Sequence, residues 1–281
     1  MIDSILKSIK KIPAFPATIQ RVTSLLRNDD YSVTDVVNVI KYDQSIAANI
    51  LKISNSAYFG VHQKIMTIHD AVVYLGQQQL VRAVQMAGVS KFYKKSGKGY
   101  VAQSRDLWEH SVAVALMSQI LSRRIQGKED SVLYTSALLH DIGKVIMGEY
   151  VYESFQQIFN QVKTKQCSFL EAEEEVIGIN HAELGGRIAA HWNFPIEIKD
   201  AIAYHHRPDL LKKEDKTNAW LVYLSDQACL MFGIDGGVDG LAYKGLEEVM
   251  HFFDLKAVDL EKSFILLLDE LEKAKDVIQI I

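Results

Sequence analysis

The feature that most constrains this chain is the spacing of its apolar residues. They recur with a helical period in window after window, runs that alternate apolar with polar are nearly absent, and only 4 prolines interrupt 281 residues. That period belongs to helices with one buried face rather than to strands. The sequence therefore predicts an all-α fold, a helical bundle. With 48% hydrophobic residues it can bury one large core or two smaller ones.

Turn chemistry divides the first part into short helices from Pro13 to Gly60, with Ser32 or Thr34 placed to cap one of them. Val36, Val37, Ile40, Ile46, Ile50, Leu51 and Ile53 supply its apolar stripe. A further helix is expected from Ile65 to Leu75, closed by Gly76. Residues 91–104, KFYKKSGKGYVAQS, mix lysine, glycine and aromatic residues without a period and read as a solvated connection between two halves. Residues 1–95 are accordingly expected to form an amino-terminal helical subdomain and 104–281 a second helical one.

The second half opens on RDLWEHSVAVALMSQILSRRI, a long helix that sets His110, Val114, Met117 and Leu121 on one face. Helices are then predicted over Asp130–Met147, Tyr152–Lys165, His181–Trp192, Ile196–His205 and Thr217–Phe232. GIDGGVDGLAY lacks the spacing of a calcium loop and reads as a turn. The segment from Leu255 onward reads as one or two amphipathic packing helices.

A net charge of −4 supplies no basic field for a polyanion, and no apolar run is long enough to span a bilayer. Nucleic acid and membrane are thus not expected partners. Two cysteines, Cys167 and Cys229, without a CxxC spacing, agree with a reducing, cytoplasmic setting.

Against this ordinary background the stretch His140-Asp141-Ile142-Gly143-Lys144 stands out, because TSALL precedes it and VIMG follows it. Three polar side chains one turn apart share a helical face there. Five of the nine histidines, His110, His140, His181, His205 and His206, fall on or beside apolar faces. One such histidine is ordinarily a core residue with its ring nitrogens satisfied. Five of them converging would be costly to bury unless something bound their lone pairs, and a divalent metal does so. Asp226, in WLVYLSDQACLMF, places an acid where the pattern expects an apolar residue, and a metal or a buried ion pair would keep it ionised.

In this order, His110, His140-Asp141 and Asp226 resemble the ligand sequence of the HD superfamily of metal-dependent phosphohydrolases, an all-helical fold. His181 and the pair His205-His206 are similar to the further ligands of its two-metal branch. The first half narrows the resemblance: IPAFPATIQRVTSLL, VIKYDQSIAANILKISNSAYFG and IHDAVVYLGQQQL look like the opening of HDOD domains, bacterial signalling modules related to the HD superfamily. NHAELGGRIAAHWNFPIEIKDAIAYHH looks like that family's later segment, so the resemblance runs from about Ile5 to Pro208.

HDOD domains commonly lack part of the HD ligand set, whereas this chain keeps every position. The pair His205-His206 is followed by RPDLLKK and not by a GYP motif, so cyclic-dinucleotide hydrolysis is not implied. The resemblance implies one or two ions, with Asp141 as the bridge, His110, His140 and Asp226 on one and His181, His205 and His206 on the other. An imidazole-rich set suits iron, manganese, nickel or zinc.

A water shared by two such ions would supply hydroxide near neutral pH for attack on phosphorus. Asp141 and Lys144 are the candidate catalytic residues, Lys144 as a steadying contact to a phosphate oxygen or else a lysine at a helix end; Arg187 is a weaker candidate for the same contact. The expected role is that of a metal-binding HDOD regulator in signal transduction, with a signalling protein as partner. The alternative is a phosphohydrolase or phosphodiesterase acting on a nucleotide, a cyclic dinucleotide or another phosphate-containing small molecule. A third reading is an interaction scaffold that grips its partner with residues 1–95.

Overall fold

The computed structural model describes all residues except 1, 10–11, 27–29, 61–62, 95–103, 151, 166, 214, 235–245 and 280–281. Among the described residues the chain is all-α, as expected, and contains no strand. The helices in chain order are α1 (Ile2–Ile9), α2 (Ala17–Leu25), α3 (Val33–Ile40), α4 (Gln44–Ser54) and α5 (Ile68–Lys94). There follow α6 (Ser104–Gln126), α7 (Ser131–Leu139), α8 (Ile142–Tyr150), α9 (Tyr152–Lys165) and α10 (Phe169–Ile177). The last are α11 (His181–His191), α12 (Ile196–Ala203), α13 (Thr217–Met231), α14 (Leu246–Phe252) and α15 (Ala257–Ile278). Among the described residues no helix is long and apolar enough to cross a membrane.

Two compact units divide the chain, one of residues 1–12 and 93–268, the other of 13–92 and 269–281. In the smaller unit Val36, Ile40, Ile46, Ile50 and Ile53 of the predicted stripe are fully buried, whereas Val37 and Leu51 are half-buried at its edge. Ser32 caps α3 through the backbone N–H of Asp35, and Asp43 caps α4 through that of Ile46. Gly76 interrupts α5 with φ 67° and ψ 179°, values that break the helix where the sequence expects a stop. Beyond it the chain returns to helix, which the sequence reading did not foresee.

The larger unit is built around α6, whose Leu107, Trp108, Val112, Val114, Met117 and Leu121 are buried. Helices α7 and α13 pack on it, α12 packs on α7, and α11 lies between α12 and α8. The ends are fixed by local chemistry: Asp130 caps α7, Ser168 and Glu171 form a capping box on α10, and Asn180 caps α11.

Two predicted helices end sooner than their apolar period suggests. The stretch Asp130–Met147 is not one helix but α7 and α8, broken at His140 and Asp141. Likewise α12 stops at Ala203, ahead of His205 and His206. The cause is the same in both places. Near each helix end a histidine ring takes the carbonyl three residues back, His140 that of Ala137 and His205 that of Ile202, both at 2.7 Å. Of the predicted connection at 91–104, Lys91–Lys94 continue α5 and residues 95–103 lie outside the described residues; the predicted turn at 233–243 lies outside them from 235 onward, and α14 was not expected from the sequence.

Candidate metal centre

Helices α6, α8, α11 and α13, with the turns that follow α7 and α12, each bring one or two polar side chains to a common point inside the larger unit. His110 comes from α6, His140 and Asp141 from the break after α7, and Lys144 from α8. His181 comes from the first position of α11, His205 and His206 from the turn after α12, and Asp226 from α13. All are buried, and His206, the most open, is 8% exposed.

Asp141 is the hub. Its Oδ2 lies 3.3 Å from Nε2 of His140 and 4.0 Å from Nε2 of His110, while its Oδ1 lies 3.5 Å from Nε2 of His181 and 3.7 Å from that of His205. Two groups result that share this carboxylate: His110, His140 and Asp141, and Asp141, His181, His205 and His206. Asp226 closes the first, with Oδ1 3.0 Å from Nε2 of His110 and 3.8 Å from that of His140. Its Oδ2 is 3.8 Å from Nδ1 of His206.

The protonation of the rings follows from their outer partners. A carbonyl only accepts, so a ring nitrogen beside one must carry the proton. Nδ1 of His110 donates to the Ile234 carbonyl at 2.8 Å, and Nδ1 of His140 and His205 to the carbonyls already named. Nδ1 of His181 donates to the Glu173 carboxylate at 2.7 Å. With Nδ1 so engaged, Nε2 is the nitrogen that His140, His181 and His205 turn toward Asp141, while Nε2 of His110 lies against Oδ1 of Asp226.

Burial, followed by the neighbouring His140, drives His205 down to about 3, and burial with His205 beside it holds His206 well below the ordinary value. Both are neutral at physiological pH. Burial opposes ionisation of Asp141, but His140 and Lys144 outweigh it and hold the carboxyl well below the usual range. For His140, burial is overcome by Asp141 and the value rises, and for His181 burial is overcome by Glu173.

At the centre Nε2 of His140, Nε2 of His205 and Oδ1 of Asp141 have no hydrogen bond. Leaving a buried polar atom so costs about 1–3 kcal/mol each. A cation among them removes that cost, because lone pairs and carboxylate oxygens all point inward. The donor set, five imidazoles and two carboxylates, fits a divalent transition metal and not calcium or magnesium.

Every metal-ligand candidate read from the sequence lies in this cluster. Lys144 is not at the surface: it is buried, its Nζ 2.8 Å from Oδ2 of Asp141. Arg187 lies outside, exposed and paired with Glu183 at 2.6 Å. Glu173 is hidden in the sequence within the run EEEV, which reads as a solvated face. The signal was its place, three residues after Leu170 and four before Ile177, both buried.

The sequence model of the HDOD domain family matches residues 12–208. An uncharacterized protein of Treponema pallidum is 25% identical over 211 residues, 72% of this chain; the chain spans only 39% of that relative's length. Among solved structures, an HDOD domain protein of Geobacter sulfurreducens superposes with a TM-score of 0.80 at 22% identity, covering 100% of both chains. A candidate phosphohydrolase of Shewanella amazonensis gives 0.74 at 22% identity, covering 97% of each. At such identities these structures establish the fold.

Proposed function

This chain belongs to the HDOD domain family, and from that membership we propose that it is a signalling regulator whose larger unit is held in one conformation by one or two divalent transition-metal ions. His110, His140, Asp141 and Asp226 would hold one ion, and Asp141, His181, His205 and His206 the other. The observation that carries the reading is the closure of the centre: each of these side chains is 8% exposed or less. Structural metal sites are closed, whereas catalytic ones keep a position open to water or substrate. Iron, manganese, nickel and zinc all suit the donors. The partner on this reading is another signalling protein.

One observation favours the alternative, a phosphohydrolase or phosphodiesterase acting on a nucleotide or other phosphate-containing molecule: Lys144 holds a buried cation against the hub. When bound, the ions would supply Lewis acidity and a more acidic water. On that reading the Nδ1 bonds of His140, His181 and His205 keep Nε2 of each ring directed inward, and Lys144 leaves Asp141 to meet a phosphate oxygen. In the observed arrangement Lys144 is engaged by Asp141, which fits the regulator better.

Elemental analysis of protein purified without added metal tests the common premise: bound transition metal is expected, and its loss in the His140→Ala, Asp141→Ala double variant. Metal-loaded protein incubated with nucleotides, cyclic dinucleotides and a generic phosphodiester separates the two readings. Turnover that vanishes in His140→Ala would establish the hydrolase and displace the regulator.

A further inference from the structure

Glu173, on α10, is fully buried. Its Oε2 accepts two hydrogen bonds from one residue, from the backbone N–H of His181 at 2.8 Å and from Nδ1 of the same residue at 2.7 Å. His110, His140 and His205 give their Nδ1 protons to neutral backbone carbonyls. Among these four rings His181 is the one whose outer partner is a carboxylate.

A carboxylate does two things that a carbonyl does not. Its full charge makes the hydrogen bond about twice as strong as a neutral one and pushes electron density through the ring to the opposite nitrogen. By gripping backbone and ring together, Glu173 also sets the ring's angle relative to the first turn of α11. The nitrogen on the far side, Nε2, lies 3.5 Å from Oδ1 of Asp141 and 2.8 Å from Nε2 of His206.

We propose that Glu173 is the positioning residue of His181: it locks the ring with the proton on Nδ1 and makes Nε2 a stronger donor. The group formed by Asp141, His181, His205 and His206 then depends on Glu173, and the group formed by His110, His140 and Asp141 does not. The dependence of an ion on Glu173 rests on the metal-centre reading given above; the locked tautomer does not.

The carboxylate also satisfies the first N–H of α11, so its loss acts on the helix as well. Glu173→Gln separates the effects, since it keeps an acceptor of the same shape and removes the charge. Glu183→Gln, on the exposed side of α11, serves as the control. Metal-free wild type and both variants are titrated with zinc against a chromophoric chelator, and the imidazole nitrogen shifts of His181 are read by NMR in the metal-free wild type.

The expected result is His181 protonated on Nδ1 in the wild type, a 10- to 100-fold weakening of one class of zinc site in Glu173→Gln with the other unchanged, and no change in Glu183→Gln. A neutral His181 ring with its proton on Nε2 in the wild type would overturn the proposal. So would unaltered zinc affinity in Glu173→Gln, or equal weakening of both classes, which would mark a purely structural role. If the wild type binds no zinc, the metal-centre reading fails by itself and the nitrogen shifts alone decide the role of Glu173.

Discussion

Gly143 lies against the backbone of His181 with no room for a side chain between them. A methyl group on Gly143 would overlap the His181 carbonyl oxygen and come within 2.8 Å of the carbonyl carbon. This contact sets α8 against α11, and with it Asp141 against His181. The glycine at the centre of HDIGK is therefore a packing requirement.

Gly143→Ala is expected to destabilise the protein by about 3 kcal/mol, because the obstacle is backbone and not a side chain that can turn aside. It should also lower metal retention by moving α11 away from Asp141. Chemical denaturation and metal analysis of the variant check both effects, and a wild-type midpoint would contradict the contact.

Replacing Lys144 by Met removes one partner of a buried pair and leaves Asp141 less compensated, which costs about 3 kcal/mol in the metal-free protein. A bound cation takes over that compensation. The penalty should therefore shrink in metal-loaded protein, and denaturation of the two forms side by side measures the difference. An equal penalty in both would mean that no ion reaches Asp141.

Acid should weaken the metal-free protein. His205, driven to about 3 by burial and then by His140, and His206, also depressed, titrate near 6.5 in the unfolded chain. Below that pH the unfolded state binds the extra protons, so stability falls as the pH falls toward the depressed values. The lowered carboxyls of Asp141 and Asp226 add the same sign below about pH 4. The raised values of His140 and His181 act in another window: their contribution is complete below about 6.5 and is lost as the pH climbs. Thermal midpoints from about pH 6.5 down to about pH 4 should decline, and His205→Leu should flatten the slope. A midpoint independent of pH there would refute the assignment.

Arg187→Ala should leave stability within about 0.5 kcal/mol and metal content unchanged, since its partner Glu183 is exposed with it. Loss of metal in this variant would mean that Arg187 reaches the centre in a conformation other than the one described here.

The amino-acid order alone determined a good deal. Apolar residues at helical spacing predicted the all-α fold, and the buried stripe from Val36 to Ile53 follows that spacing. His110 appeared on the apolar face of α6 because period and burial agree there. Gly76 and Ser32 marked a break and a cap because backbone conformation and capping are local properties.

Other features depended on groups distant in the chain. The break at His140 and the early end of α12 come from ring-to-carbonyl bonds that a periodicity argument does not weigh. Glu173 in its acidic run looks solvated until the helices around it are in place.

What the sequence by itself determined is which residues face inward, because amphipathic spacing is written into each helix. Which of them meet, and through which atom, only the tertiary structure decided. Oδ1 of Asp226 stands 3.0 Å from Nε2 of His110, 116 residues earlier in the chain. No local preference encodes that distance; it arises when α6 and α13 bury their apolar faces against each other and carry those polar atoms in with them.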